Sequence, residues 1–526
     1  MPDDILSTYA QAQPDKPAVI EDRPDGTIVR WTYAELEERS NRLANALASL
    51  GVGPGDKVLW CGPNSPQVVA IIAATRKLGA VAVAVNYRLT AEEATYVIGH
   101  SDAAVGYVDA EQAPMFAGLR DDLDRLRQVI VYGGAPPAGA PDGWMLGEDF
   151  VAAASADPPA DEPEEGVAGT MIFTSGTTGR PKGAVRRTRA ADATAIGLIM
   201  LIGYTPDDVY LTSGPLYHSG PWGFMGGALA LGQTVIVQRK FDAEDWLRLV
   251  QTYRVSSTFA APAPIRMVCN VPDEVKARYD RSSMKRMIAN AAPWSMALKR
   301  QYLADFPPES LWEVYGSTEL GVNCVLEPAD QLRKPGSCGK PAPGVEIRLF
   351  DAAGAEVTGT GPDHPGELFA RSTGIFDEYY RQRDSYESAR RGDFHTVGDI
   401  AYRDDDGYLY ICDRKTDMII TGGMNVYPAE IEAALEQHPA VYEAAVFGIP
   451  SEDWGEEVHA EVVLRPGASL TAEDLVAFSR EHLAGYKIPR SVSFTGELPR
   501  TGSGKVLKRT LRGPYWAGQG AASPSI

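Results

Sequence analysis

Met171-Ile172-Phe173-Thr174-Ser175-Gly176-Thr177-Thr178-Gly179-Arg180-Pro181-Lys182-Gly183 is the stretch on which the reading of this 526-residue chain turns. An apolar strand runs into a turn that holds four hydroxyls, three glycines and one lysine. Glycines let backbone N–H groups approach an anion and hydroxyls add donors, so the loop can wrap the oxygens of a triphosphate. It is not a Walker loop, because Pro181 precedes Lys182 and Gly183 follows it where Ser or Thr is required.

Upstream of this loop, helix and strand signals alternate. Thr32-Tyr33-Ala34-Glu35 is a capping box, after which Leu36, Leu43, Leu47 and Leu50 fall on one helical stripe that Gly51 stops. Residues 57–61 predict a short buried strand, 66–78 a helix and 81–85 another strand. Downstream, Asp242 caps a helix over 243–253, followed by a strand over 255–260 and a stop at Pro262. Helices between short β-branched runs imply parallel pairing. The expected class is therefore α/β, with a large multilayered N-terminal domain built on parallel sheets.

The Pro-, Ala- and acid-rich text from Gly134 to Gly166 reads as a surface connection rather than a core element. Asp399-Ile400-Ala401-Tyr402-Arg403 and Gly407-Tyr408-Leu409-Tyr410-Ile411 read as a hairpin around the acidic turn Asp404-Asp405-Asp406. A Gly-Gly turn, a helix over 428–437, short strands and a basic tail follow. The organisation expected is an N-terminal domain over 1–412, a hinge over 413–417 and a small mobile α+β domain over 418–526.

Net charge is −20, from 50 basic and 70 acidic residues. Such a body repels polyphosphate backbones, which argues against nucleic acid as a partner. A composition 44% hydrophobic and 23% charged is globular and excludes a collagen-like, coiled-coil or wholly disordered chain. The five scattered cysteines never form CxxC, so reduced structural thiols in a cytoplasmic protein are expected. MPDDILSTYA lacks the basic and apolar regions of a secretory signal, and no run of about 20 apolar residues offers a membrane span. One segment is anomalous. Between Tyr486 and Gly513, Lys487, Arg490, Arg500, Lys505, Lys508, Arg509 and Arg512 face a single acid, Glu497. Alone this is a solvated basic face; with a phosphate loop elsewhere it reads as a surface that meets a polyanion.

The run at 171–183 resembles the phosphate loop of the adenylate-forming superfamily: acyl-CoA synthetases, luciferases and the adenylation domains of peptide synthetases. The resemblance holds at distant positions and in family order up to 505. Tyr315-Gly316-Ser317-Thr318-Glu319 is similar to the family's YGxTE motif. By that resemblance Tyr315 stacks on adenine, Thr318 bonds the α-phosphate and Glu319 ligates Mg²⁺. Gly398-Asp399 matches the carboxylate position that holds the ribose, and Asp413-Arg414-Lys415-Thr416-Asp417 matches the hinge motif, with Arg414 also reaching the ribose. Pro499-Arg500-Thr501-Gly502-Ser503-Gly504-Lys505 matches the C-terminal lysine motif, which is again not a Walker loop because Val506 follows the lysine. The segment 419–428, with Gly422 and Gly423, resembles the loop that lines the pantetheine channel. Here the family usually has Asp or Lys where this chain has Thr416, and His where it has Arg189.

The resemblance implies an ATP- and Mg²⁺-dependent acid–thiol ligase. Thr174, Ser175, Gly176, Thr177, Thr178, Gly179 and Lys182 hold the departing pyrophosphate, Ala291, Ala292 and Gly316 belong to the nucleotide side, and Lys505 bridges substrate carboxylate and α-phosphoryl oxygens. Coenzyme A is the expected acceptor, and a homodimer is compatible with this reading. The windows 215–222, 261–264, 289–293 and 314–316 are apolar, aromatic or small. They hold no carboxylate to pair an ammonium, so an apolar acid is favoured over an amino acid. His218 resembles a residue that packs near the acyl group or gates it, and a structural histidine is an equal reading. Arg186, Arg187, Arg189 or the basic tail are candidates for the coenzyme A phosphates. Two alternatives stay open: an adenylating enzyme with a carrier-protein thiol or nitrogen nucleophile as acceptor, and a catalytically silent nucleotide-binding homologue.

Overall fold

Thr32 caps the helix Tyr33–Ser49 as its sequence requires: its hydroxyl accepts from the Glu35 amide and the Glu35 carboxylate accepts from the Thr32 amide. That helix buries Leu36, Leu43 and Leu47 completely, and Gly51 follows with φ +84. The computed structural model describes residues 4–119, 123, 125–140, 142–160, 163–174, 181–188, 193–290, 294–415, 417–421, 424–451, 453–500 and 506–517.

Two large sheets carry the N-terminal part. In one, Gly169–Thr174, Val81–Val85, Lys57–Cys61, Val105–Asp109, Gln128–Tyr132 and Trp144–Leu146 run parallel, with Lys182–Arg187 and Glu378–Tyr379 antiparallel at the edge. In the other, Pro17–Asp22, Thr234–Val237, Val209–Thr212, Ser257–Ala260, Arg286–Ala289 and Leu311–Ser317 run parallel, closed by antiparallel edges. Helices Tyr33–Ser49, Pro66–Lys77 and Ser219–Ala230 fill the layer between them, in one core with Val58 and Trp60 of the first sheet and Val235 and Val237 of the second. Each sheet's far face is covered by further helices with cores of their own. The multilayered α/β expectation is met.

Two local expectations need correction. The stretch 134–166 is not all connection: Trp144–Leu146 adds a parallel edge strand and Gly147–Ala152 a helix, because Trp144, Met145 and Leu146 supply the apolar residues that its Pro-rich flanks lack. Pro262 ends the strand but also opens the helix Pro262–Cys269, where a missing N–H at the first position costs nothing.

The acidic hairpin forms, Asp399–Arg403 against Leu409–Arg414, within an antiparallel six-stranded sheet. Beyond it a separate five-stranded sheet draws only on residues 419–495. Asp413 ties the two together. Its carboxylate accepts from the Arg414 amide (2.8 Å) and from the Ala429 amide (3.0 Å) in the first turn of the helix Pro428–Leu435. No helix among the described residues is long and apolar enough to cross a membrane, and no cysteine there is bonded to another.

Candidate active site

Five parallel strands end at Thr174, Thr212, Ala260, Ala289 and Ser317, and Thr174, Ser213, Ala261, Asn290 and Ser317 border one cleft at those ends, which is where open α/β sheets bind ligands. The cleft they border encloses about 3230 Å³ and also touches Arg414, Lys415, Arg500, Val506 and Lys508. That is several times the volume of a single small-molecule pocket, so it can hold more than one ligand at once.

The hairpin of Leu311–Ser317 and Gly321–Leu326 presents the acid. Gly316 must be glycine there: a Cβ would lie 2.0 Å from the Gly321 carbonyl oxygen of the paired strand. At the turn, Thr318 Oγ1 lies 2.8 Å from Ser219 Oγ, the first residue of the helix Ser219–Ala230. Glu319 is 9% exposed, and its Oε1 accepts from the Tyr379 hydroxyl at 3.0 Å. Lys182 Nζ sits 5.2 Å from the centre of the Tyr379 ring, so the loop lysine, a phenol and the carboxylate follow one another along the wall. Burial, and then the Glu319 charge, push the Tyr379 phenol far above its ordinary range, which keeps it a neutral donor. Arg186 stands behind this array and donates to the carbonyls of Thr318 (2.8 Å) and Gly374.

Asp399 and Arg414 face each other across the acidic hairpin, Arg414 Nε 3.3 Å from Asp399 Oδ1. Tyr315 donates to the other Asp399 oxygen. Burial, with Asp399 beside it, raises the Tyr315 phenol well above its usual value. Arg414 lines the cleft, whereas Tyr315 and Asp399 stand just behind its wall, tied to each other.

Of the remaining expected residues, Thr174, Lys182, Gly316 and His218 line the same cleft. His218 packs its ring on Tyr217, centroids 4.5 Å apart. Ser175, Gly176, Thr177, Thr178, Gly179, Ala291, Ala292, Thr416, Gly422, Gly423 and Lys505 lie outside the described residues. Arg500 and Val506, which bracket Lys505, pair with each other and border the cleft.

The candidates for the coenzyme A phosphates have partners within the chain: Arg186 donates to backbone carbonyls and Arg187 meets the Glu378 carboxylate at 3.4 Å, while Arg189 lies outside the described residues. In the basic tail Lys487, Arg500, Lys508 and Arg512 pair with Glu430, Glu443, Glu432 and Glu456. These acids come from the preceding helix and strands, which the local count at 486–513 could not include.

Sequence reading missed Tyr379 and the orienting role of Ser219. Tyr379 arrives through a two-residue strand pairing, Tyr379 with Ala184, and carries no motif. Ser219 had a usable signal, since it opens a helix beside the quoted His218.

No group of three or more metal-ligating side chains occurs among the described residues. Glu319 alone still suits Mg²⁺, which is commonly held by one or two carboxylates together with substrate phosphates rather than by a protein cage.

Comparison with known proteins agrees. Residues 6–380 match the family model of the AMP-binding enzymes and residues 430–505 that of the AMP-binding enzyme C-terminal domain. The chain is 36% identical to a feruloyl-CoA synthase of an Amycolatopsis species, over 93% of this chain and 96% of that one. It is 34% identical to the fatty acid–[acyl-carrier-protein] ligase ScoC of Streptomyces coeruleorubidus, over 97% and 95%. A solved fatty acyl CoA synthetase of Mycobacterium tuberculosis matches with a TM-score of 0.73 and 32% identity, over 98% of both chains. With both halves of the cleft matched in order, the chain belongs to the AMP-binding, adenylate-forming enzyme family that includes the acyl-CoA ligases.

Proposed function

We propose that the protein activates an apolar carboxylic acid with ATP as an enzyme-bound acyl adenylate and passes the acyl group to coenzyme A, releasing pyrophosphate and then AMP. One observation carries this reading. Thr174, Lys182, Thr318 and Glu319 border the same cleft as the apolar side chains of Leu198, Phe224 and Leu231.

The chemistry requires such a junction. A carboxylate attacking the α-phosphorus brings two anions together, which a low-dielectric pocket opposes unless charge is neutralised. Lys182 serves the departing pyrophosphate. Thr318, its hydroxyl held by Ser219, donates to the α-phosphate. Asp399 and Arg414 take the ribose, which displaces the Tyr315 hydrogen bond. A bound Mg²⁺ supplies Lewis-acid neutralisation of the phosphates, and Glu319, oriented by Tyr379, is the residue that holds it. Lys505 delivers the last cation from the strip between Arg500 and Val506. Positioning and electrostatics carry most of such a transfer.

Two domains, 1–412 and 418–526, turn about the hinge 413–417 so that Lys505 and the Gly422-Gly423 loop serve the two half-reactions in succession. Similarity to ScoC favours one second reading, with a carrier-protein thiol as acceptor. The test is pyrophosphate release across a panel of carboxylic acids, with coenzyme A, with a phosphopantetheinyl carrier protein, and with neither. Acid-dependent release, completed to acyl thioester and AMP by coenzyme A, is expected. Thioester on the carrier alone selects the second reading, and no acid-dependent release refutes both.

A further inference from the structure

Thr318 and Glu319 sit in the turn that joins the strands Leu311–Ser317 and Gly321–Leu326, beyond the last paired residues of that hairpin. Both of their carbonyls are held from outside it. The Phe376 amide donates to the Glu319 carbonyl at 2.8 Å, and the Arg186 guanidinium donates to the Thr318 carbonyl, also at 2.8 Å. The other arm of that guanidinium donates to the Gly374 carbonyl. The turn and the 374–376 segment meet so closely that Gly321, at φ +71, has no room for a side chain: an added Cβ would lie 2.9 Å from the Gly374 carbonyl oxygen.

Arg186 belongs to the strand Lys182–Arg187, and Lys182 stands on the same face of it, about 13 Å away. The same strand carries the segment after Gly374. Val185 pairs with Glu378 and Ala184 with Tyr379, and the Asp377 and Tyr380 amides donate to the carbonyls of Val185 (2.9 Å) and Gly183 (2.8 Å). Tyr379 in turn orients the Glu319 carboxylate. One strand therefore sets the loop lysine directly, the carboxylate through Tyr379 and the Thr318 backbone through Arg186. Arginine brings a planar fork of donors that spans two carbonyls at once, whereas lysine offers a single flexible ammonium.

We propose that Arg186 is a positioning residue for adenylation, which fixes the Thr318-Glu319 turn at a set distance from Lys182 so that the α-phosphate and the departing pyrophosphate are gripped together. This rests on the proposed ligase activity and adds a residue to it. Arg186 acts through Thr318, whose hydroxyl goes where its backbone is held, and through the neighbouring Glu319. Such a transfer relies on donors that are in place beforehand. A turn with slack must instead be ordered by the nucleotide, at a cost in affinity.

The test compares the full-length parent with Arg186→Met and Arg186→Lys, by equilibrium binding of α,β-methylene-ATP in Mg²⁺ and in EDTA and by both half-reactions. Arg186→Met should bind the analogue about tenfold more weakly in Mg²⁺. It should lose less in EDTA, because Glu319 bears on the nucleotide only through the metal. The KM for ATP should rise in step, while the KM for the acid and thioester formation from preformed acyl adenylate and coenzyme A stay near the parent's. Arg186→Lys should fall between the two. Equal decline of both half-reactions with an unchanged KM for ATP overturns the proposal, since that is the mark of a residue that only keeps the chain folded. Parent-like binding of the analogue by Arg186→Met also overturns it, as does parent-like binding by Arg186→Lys where the Met variant fails to fold. If the parent binds the analogue but releases no pyrophosphate with any acid, the ligase reading falls while the binding comparison still decides the role of Arg186. If the parent binds none, both fall.

Discussion

Glu319 is held by one neutral phenol, and that single bond has measurable weight. Tyr379→Phe removes a hydrogen bond to a charged group, typically about 2 kcal/mol, and should lower kcat/KM for ATP by about tenfold or more while leaving the thermal midpoint close to the parent's; unchanged ATP kinetics would show that Glu319 needs no such support. Gly316 is demanding in a different way. Gly316→Ala drives a methyl group into the Gly321 carbonyl 2.0 Å away, backbone against backbone, so a loss of about 2–3 kcal/mol is expected in urea unfolding. At this scale the motifs were informative about place: Thr318, Glu319 and Arg414 border the cleft and Asp399 pairs with Arg414. Tyr379 was illegible because nothing near it in the chain announces a role; only the pairing with Ala184 brings it to the carboxylate.

The helix Ser219–Ala230 borders the cleft, and on the proposed function it walls the acyl path. An added Cβ at Gly223 or Gly227 meets nothing within 4 Å, so a larger side chain enters open space rather than a packed core. Helix interiors also prefer other residues to glycine by about 0.5–1 kcal/mol. Gly223→Leu should therefore fold at least as well as the parent, lose tenfold or more in kcat/KM on elongated acids and retain activity on short ones; equal loss across chain lengths would place the residue outside the acyl path. Elements with strong periodicity and caps were legible almost to the residue, as Lys57–Cys61, Val81–Val85 and the Asp242-capped Ala243–Tyr253 demonstrate. The helix Ala193–Ile202 was not. ATAIGLIMLI is apolar on every side, so it offers no stripe from which to infer that Leu198 and Ile199 wall a cavity.

Across the whole molecule the N-terminal body meets the C-terminal sheet through a charged contact. Arg266 of the helix Pro262–Cys269 lies 4.0 Å from Glu443 and 5.0 Å from the centre of the Tyr442 ring. Beside them burial pushes the Glu436 carboxyl up to about 7, partly offset by Arg266 and reinforced by Glu432 and Glu443. A folded value above the unfolded 4.5 means that the folded chain keeps a proton the unfolded chain has released. The stability this contributes is complete below about pH 4.5 and is lost as pH rises through about 7. Glu436→Gln should thus gain on the parent over that interval, by up to ~3 kcal/mol, in unfolding measured at a series of pH values; a constant difference between the two proteins would contradict the burial of that carboxyl. The two-part organisation itself could be read from the composition change near Asp413, whereas this contact could not, since Arg266 and Glu443 lie 177 positions apart. The central claim, that one cleft serves adenylation with a lysine brought from the second domain and thioester formation without it, is tested most directly by Lys505→Ala. Acyl-adenylate formation from acid and ATP should fall by at least about a hundredfold, while thioester formation from preformed acyl adenylate and coenzyme A stays near the parent rate. Equal loss in both half-reactions, or in neither, would contradict it.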